Sequence, residues 1–253
     1  MKKQLPVFTI LILAYALAAF LTVAFFYDQL TQGLAPSNPG AALGIPNWAL
    51  GLINAGIILV FYGLLGLAGY WFAKKLDLPG IFRETGNWRG WFWTPLLVGA
   101  VLGIFLAIVD QTLASAGLTP KFPHPAFPSS ILASISAGIG EEILFRGFVF
   151  GMWAFLLNLL LKRWNQTKLA LWIANFIAAL AFGAAHFPAA MILFGVATPA
   201  ALPPIVIAEI LFLNGVIGIA AGERYMKDGL IAAVGVHFWA DIAWHVIYPL
   251  LFA

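Results

Sequence analysis

Residues 130–161 read SILASISAGIGEEILFRGFVFGMWAFLLNLLL. This predominantly apolar run exceeds the roughly 20 residues that a helix needs to cross a bilayer. In its middle it carries three charged residues, Glu141, Glu142 and Arg146. A charge inside a spanning helix costs about 2.5–3.5 kcal/mol on insertion scales, so such residues need partners or a function. The stretch therefore predicts a membrane-spanning helix that carries a polar site.

The whole chain has the composition of a membrane protein. Of its 253 residues, 62% are hydrophobic and only 9% are charged, whereas soluble domains carry roughly 25% charged residues. There is no cysteine, which excludes disulfides, thiolate metal sites and cysteine nucleophiles. The sequence holds neither a basic stripe interleaved with aromatic residues nor a phosphate-binding loop. The expected partner is therefore the lipid bilayer and not nucleic acid.

Apolar runs of spanning length recur along the chain. We place spans at 6–27, 49–73, 94–117, 130–161, 168–187, 203–222 and 229–252. The further run 189–199 is short, and we expect it to be re-entrant, interfacial or part of an eighth span. These runs predict an all-α fold, a polytopic bundle of seven to eight transmembrane helices with a polar intramembrane cavity. We expect residues 1–253 to form one integral membrane domain, in which residues 130–245 hold the catalytic core helices.

The basic residues divide the predicted loops into two sides. If the chain crosses seven times, eleven of them fall on one side: Lys2, Lys3, Lys74, Lys75, Arg83, Arg89, Lys162, Arg163, Lys168, Arg224 and Lys227. The opposite side has only Lys121. Because cytoplasmic loops carry the excess of Lys and Arg, we expect a multi-pass protein of the cell membrane with a cytoplasmic N-terminus. The first run exceeds the roughly 7–15 apolar residues of a signal peptide, so it is expected to remain as a helix.

Two adjacent glutamates are the clearest sign of chemistry. Glu142 and Arg146 are four residues apart, share a helix face and can form an ion pair. Glu141 points about 100° away from that face, and nothing nearby in the sequence pairs with it. A structural ion pair would explain Glu142 and Arg146 but not the second glutamate. An unpaired carboxylate in a helix interior suits a general base.

Histidines on two later spans complete a candidate site. His186 follows Phe182 by four residues at the end of the fifth span, and His237 lies one turn before Asp241 in the last. Each alone could be an interfacial or structural residue, and His245 is expected to be a bystander near its helix end. Together, glutamates and histidines from three helices could meet at one cavity, activate a water molecule and stabilise an oxyanion. The same residue types bind zinc, so a divalent metal is an alternative.

These residues resemble the motifs of the CPBP family, which groups CAAX proteases and bacteriocin-processing membrane peptidases. The family motifs EExxxR, FxxxH and HxxxN correspond, in order, to Glu141–Arg146, Phe182–His186 and His237–Asp241. The resemblance implies an intramembrane endopeptidase, either glutamic or metal-dependent, similar to the type II endopeptidases that trim prenylated CAAX proteins. It implies that Glu141 and His186 activate water and that Glu142 with Arg146 positions their helix. His237 and Asp241 would form the oxyanion site.

One position departs from the family pattern. Asp241 stands where prenyl-protein endopeptidases have asparagine, and an ionised aspartate cannot donate a hydrogen bond to an oxyanion. We therefore expect Asp241 to be protonated, to orient His237 or to bind a metal. The departure argues against CAAX proteins as substrates. The expected substrate is a membrane-associated peptide or protein, with or without a lipid modification.

Two other classes of function use similar residues. Intramembrane acids and histidines also form proton relays, so a proton-coupled transporter is the first alternative. No internal repeat of the kind found in many transporters is visible in the sequence. The second alternative is a non-catalytic membrane scaffold of the same fold, although Asp241 is the only motif position that departs.

Overall fold

The computed structural model describes residues 3–31 and 44–252, and this part of the chain contains helices and no β-strand. The helices are α1 (Gln4–Thr31), α2 (Asn47–Lys75), α3 (Arg89–Ser115), α4 (Ser129–Trp164), α5 (Thr167–Ala184), α6 (Phe187–Phe194), α7 (Pro204–Asp228) and α8 (Leu230–Phe252). Within the same residues, seven segments are long and apolar enough to cross a membrane, with α5 and α6 together forming one. The predicted all-α, multi-pass bundle is confirmed. Lys2 and most of the predicted loop 28–48 lie outside the described residues.

The short apolar run 189–199 does not form a span of its own. Part of it belongs to α6, whose 8 residues rise about 12 Å, less than half of the roughly 30 Å hydrocarbon core. Pro188 lies in the first turn of α6. Proline is tolerated there because the first turn needs no intrahelical N–H donor, whereas it would interrupt a continuing α5. With seven spans in the described residues, the predicted separation of basic and non-basic loops is unchanged.

Glycines allow the central helices to approach one another closely, as is common between membrane helices. A Cβ added at Gly69 of α2 would lie 2.6 Å from the backbone of Gly147 in α4. A Cβ added at Gly222 of α7 would lie 1.8 Å from the Asn175 amide oxygen of α5. The Asn175 amide nitrogen donates to the Ile219 carbonyl at 3.1 Å. These contacts fix α2 against α4 and α5 against α7.

Helix α1 is part of the bundle and packs beside α2 and α4. A Cβ added at Gly140 of α4 would lie 2.5 Å from the Tyr15 ring. Tyr15 also meets the Tyr62 ring of α2 edge-on, with ring centres 5.0 Å apart. Helix α1 thus packs against the segment of α4 that directly precedes the adjacent glutamates.

Candidate active site

Two of the three motif segments adjoin irregular helix geometry. Glu141 and Glu142 directly precede a π-helical segment of α4, Ile143–Phe150. Asp241 directly precedes another, Ile242–Ile247 of α8. π-Helical segments inside α-helices are frequent at functional sites. The helical hydrogen-bond pattern therefore changes directly after the motif carboxylates of α4 and of α8.

The side chains of Glu141, His186, His237 and Asp241 line one cavity of about 340 Å³. They come from α4, from the turn between α5 and α6, and from α8, so three spans converge there. The remaining wall is mostly apolar and includes Phe122, Leu193, Ile210, Leu213, Ile217 and Trp244. Binding sites typically combine an apolar wall with a few convergent polar groups. A cavity is thus present among the spanning helices, and it combines these four polar side chains with an apolar wall.

Glu142 and Arg146 form the predicted ion pair. The Arg146 Nε lies 3.3 Å from Glu142 Oε2, and both side chains have 0% exposure. The guanidinium also lies 5.0 Å from the centre of the Phe182 ring, in a cation–π arrangement. The buried pair therefore connects α4 to α5 as well as stabilising α4 itself.

Glu142 has a second partner, which the sequence did not predict. Its Oε1 lies 3.0 Å from His237 Nδ1, so the bond joins α4 to α8. The carboxylate paired with Arg146 can only accept, and the His237 Nδ1–H therefore donates. Asp241 Oδ2 lies 3.7 Å from His237 Nε2, which is too far for a hydrogen bond. Glu142, and not Asp241, thus makes the bond that orients His237.

Phe182 lies between the two motif histidines. Its ring centre is 5.1 Å from that of His186 and 5.2 Å from that of His237, and both contacts are edge-on. The Phe182 carbonyl oxygen lies 2.9 Å from His186 Nδ1. A carbonyl can only accept, so Nδ1 carries the proton and Nε2 of the neutral ring keeps its lone pair. The backbone of α5 therefore sets the His186 tautomer, while the Phe182 ring spaces the two imidazoles.

Glu141 differs from its neighbour in its surroundings. Its Oε2 atom is buried, and no described residue donates a hydrogen bond to it. The side chain lines the cavity together with His186. The structure therefore agrees with the prediction that Glu141 is the unpaired carboxylate of α4, and its role as a base remains a prediction.

Two further histidines, His124 and His245, meet beside the cavity, and the sequence pattern indicated a role for neither. His245 lines the cavity, and its Nδ1 lies 2.9 Å from the Nδ1 of His124. His124 belongs to the proline-rich loop between α3 and α4, outside every predicted span. Burial and the Lys121 ammonium lower the pKa of His124 to about 4, so its ring is neutral at pH 7. In the sequence, His124 lies between Pro123 and Pro125, and two such prolines indicate an ordered loop.

The candidate metal ligands do not gather into an ion site. Among residues 3–31 and 44–252, no three His, Asp or Glu side chains are close enough together to hold a metal ion. Catalytic zinc centres use three protein ligands and an open position. A divalent metal held by Glu141, His186, His237 and Asp241 stays a prediction.

The described residues form seven apolar spans around a cavity, which defines the class as a multi-pass membrane protein. Residues 123–243 match the family model described as Type II CAAX prenyl endopeptidase Rce1-like. The matched region contains all three motifs and confirms the resemblance to the CPBP family. Because this is a family of peptidases, the match supports a peptidase activity. No curated protein and no solved structure matches the chain.

Proposed function

We propose that the protein is an intramembrane endopeptidase that hydrolyses a peptide bond with a water molecule activated by Glu141 and His186. The observation that carries this proposal is the convergence of four motif side chains from three spans on one cavity. The family match over residues 123–243 supports the peptidase class. The substrate is a peptide or protein that reaches the site from the membrane, with or without a lipid modification.

Two unengaged acceptor atoms support Glu141 and His186 as the groups that activate water. Glu141 Oε2 accepts no hydrogen bond from the described residues, so it can accept one from a water molecule. His186 donates from Nδ1 to Phe182 and keeps a lone pair on Nε2. One of these acceptors takes a proton from water as the oxygen attacks the peptide carbonyl carbon. The same proton then passes to the leaving amine as the C–N bond breaks.

His237 and Asp241 are suited to stabilise the tetrahedral intermediate. His237 is held through Nδ1 by Glu142, and a protonated Nε2 would donate to the oxyanion. Asp241 lies 3.7 Å from that nitrogen and can donate only as a neutral carboxylic acid, in place of the asparagine amide of the family motif. Loss of one such donor typically lowers kcat by about 10²–10³.

The arrangement of the loops supports an N-terminus in the cytoplasm. The start of α1, the α2–α3 loop and the α7–α8 junction meet at one end of the bundle. There the Ile81 N–H donates to Gln4 Oε1 at 2.9 Å and the Arg83 N–H donates to the Asp228 carbonyl at 2.9 Å. The segments that carry most of the lysines and arginines thus share one end, and that end is cytoplasmic by the positive-inside rule.

The test is cleavage by the purified protein of a panel of labelled membrane peptides, with and without a lipid group. We expect wild type to cleave at least one peptide and Glu141→Gln and His186→Gln to cleave none. Glu84→Gln is the matched control, because Glu84 is an exposed carboxylate at the basic end of the bundle. Thermal unfolding establishes that each variant is folded.

Other results would favour a different base, a metal-dependent mechanism or a transporter. Undiminished cleavage by Glu141→Gln would refute its assignment as the base. Loss of wild-type cleavage in chelator, restored by zinc, would favour the metal-dependent mechanism. Proton flux in proteoliposomes without cleavage of any peptide would favour the transporter.

A further inference from the structure

The cavity lies toward the end of the bundle that is remote from the basic loops. Part of its wall comes from Phe122, Pro123 and Pro125 in the loop between α3 and α4. Another part comes from Ala189 and Leu193 of α6, the helix that precedes the α6–α7 loop. By the order of the spans, both loops lie at the end of the bundle opposite the α2–α3 and α7–α8 connections. No lysine or arginine of the basic loops lines the cavity, as far as the structure describes these loops.

Contacts of the α3–α4 loop define this second end of the bundle. The Tyr248 hydroxyl of α8 donates to Gln111 Oε1 of α3 at 2.7 Å. The Lys121 ammonium lies 5.5 Å from the centre of the Tyr248 ring, and His124 meets His245 at 2.9 Å. The loop is therefore tied to the last turns of α8, beside the cavity wall.

The motif residues also lie closer to this end. Glu141 is twelve residues from the start of α4 at Ser129 and twenty-three from its end at Trp164, or about 18 Å and about 34 Å along the helix. His186 is nineteen residues from Thr167 and eight from Phe194, or about 28 Å and about 12 Å of helical rise. Water that enters from the α3–α4 and α6–α7 loops therefore has the shorter path to both residues.

The charges of the two ends differ. The connections at the cavity end carry a single basic residue, Lys121, against eleven at the other. Such an excess marks the cytoplasmic side. The cavity end is therefore the non-cytoplasmic one.

We infer that the cavity opens to the non-cytoplasmic side of the membrane and admits apolar peptide segments presented from that side. The description of the ligand as a substrate rests on the proposed function, whereas the direction of opening does not. The apolar wall formed by residues such as Leu193, Leu213 and Trp244 favours apolar side chains. A lipid-modified tail in the cytosol would meet the wrong end of the bundle.

Single cysteines test the direction of opening, because the chain has none of its own and wild type is the blank. Ala189→Cys places a thiol in the cavity wall. Ala201→Cys marks the α6–α7 loop and Gln166→Cys marks the α4–α5 loop, and both positions are exposed. Each variant is treated with a membrane-impermeant maleimide in right-side-out and in inside-out membrane vesicles. Labelling is measured as the increase in the mass of the protein when the maleimide is attached.

We expect Ala189→Cys and Ala201→Cys to be labelled in right-side-out vesicles and Gln166→Cys in inside-out vesicles only. Labelling of Ala189→Cys in inside-out vesicles alone, or in neither preparation while Ala201→Cys is labelled, would overturn the inference. Reversed labelling of the two loop markers would overturn it as well. Leu193→Cys, a second wall position, is labelled from the same side as Ala189→Cys if the cavity opens as inferred.

This readout requires no turnover, so it separates the inference from the proposed function. If the cavity position is labelled from the non-cytoplasmic side but the protein cleaves no peptide, the direction of opening is supported and the peptidase activity is refuted. For a protein that does cleave, an apolar peptide added outside right-side-out vesicles should be hydrolysed. The same peptide added outside inside-out vesicles should be hydrolysed at least tenfold more slowly.

Discussion

His237 donates a 3.0 Å hydrogen bond to Glu142, a residue 95 positions earlier in the chain and on a different span. The same carboxylate lies 3.3 Å from Arg146. One buried glutamate thus holds both an arginine of its own helix and a histidine of the last helix. Glu141, its neighbour, makes no ion pair with any described residue. The two adjacent glutamates therefore have different surroundings and should respond differently to substitution.

Neutralising the two glutamates should separate stability from turnover. Glu142→Gln should lower the free energy of unfolding by about 3–5 kcal/mol, because it leaves a buried arginine without its counter-charge. Glu141→Gln should abolish cleavage and lower Tm much less than Glu142→Gln, since Glu141 makes no ion pair with the described residues and its buried Oε2 accepts no hydrogen bond from them. Thermal unfolding in detergent measures both variants, which differ by one position. Equal loss of Tm in the two would contradict the assignment.

The spacing of the two imidazoles by Phe182 should matter for turnover. Phe182→Leu removes the ring that meets both His186 and His237. We expect kcat to fall roughly 10–100-fold with a smaller change in KM, because small displacements of catalytic groups are costly. Phe150→Leu is the control, since Phe150 is equally buried but packs on Tyr225 away from the cavity. If both variants lose kcat to the same extent, the ring has no specific positioning role.

The contact between His124 and His245 should weaken in acid. Burial and Lys121 lower the pKa of His124 from 6.5 to about 4, so the unfolded chain takes up a proton first as the pH falls. The free energy of unfolding should therefore decrease between about pH 6.5 and pH 4. His124→Gln keeps a hydrogen-bonding group and should reduce this pH dependence. A Tm series from pH 7.5 to 5 measures it, and identical slopes for variant and wild type would contradict the prediction.

Because α5 and α7 pack closely, replacing Gly222 of α7 should lower the stability of the protein. A Cβ at Gly222 would lie 1.8 Å from Asn175, whereas one at Gly215 of the same helix meets nothing within 4 Å. Gly222→Ala should lower stability by about 1–3 kcal/mol, the usual cost of overpacking. Gly215→Ala should be neutral or stabilising, because alanine favours helix. Tm values for this pair measure the difference, and similar values would show that α5 and α7 can move apart.

The sequence predicted the spans and the convergence of the motifs for physical reasons. An apolar run of about 20 residues has few stable alternatives to a membrane helix. A charge such as Glu141 is costly in lipid, so its presence in a span already indicates an interior site. His186 and His237 lie on predicted spans, and their motifs follow the same order as in the CPBP family. A cavity shared by these spans was therefore predictable. The length of the run 189–199 did not show whether it crosses the membrane. In the structure, Pro188 and the turn before it end α5, and only the short helix α6 follows.

Other features depend on geometry that a sequence pattern does not contain. The bond between Glu142 and His237 requires a particular rotation of α4 against α8, and both helices are locally π-helical beside it. The period of 3.6 residues cannot predict side-chain direction through such a segment. His124 lies in a loop, where periodicity gives no position at all. The flanking prolines indicate an ordered loop, but they do not predict His245 as the partner.

Single-turnover hydrolysis of a membrane peptide in ¹⁸O-labelled water, with the products analysed by mass spectrometry, tests whether a water molecule attacks the peptide bond at Glu141. We predict cleavage by wild type with one ¹⁸O atom in the new carboxylate, and no cleavage by folded Glu141→Gln. Folded wild-type protein that cleaves no membrane peptide would refute the peptidase activity, and Glu141→Gln that cleaves at the wild-type rate would refute the role of Glu141.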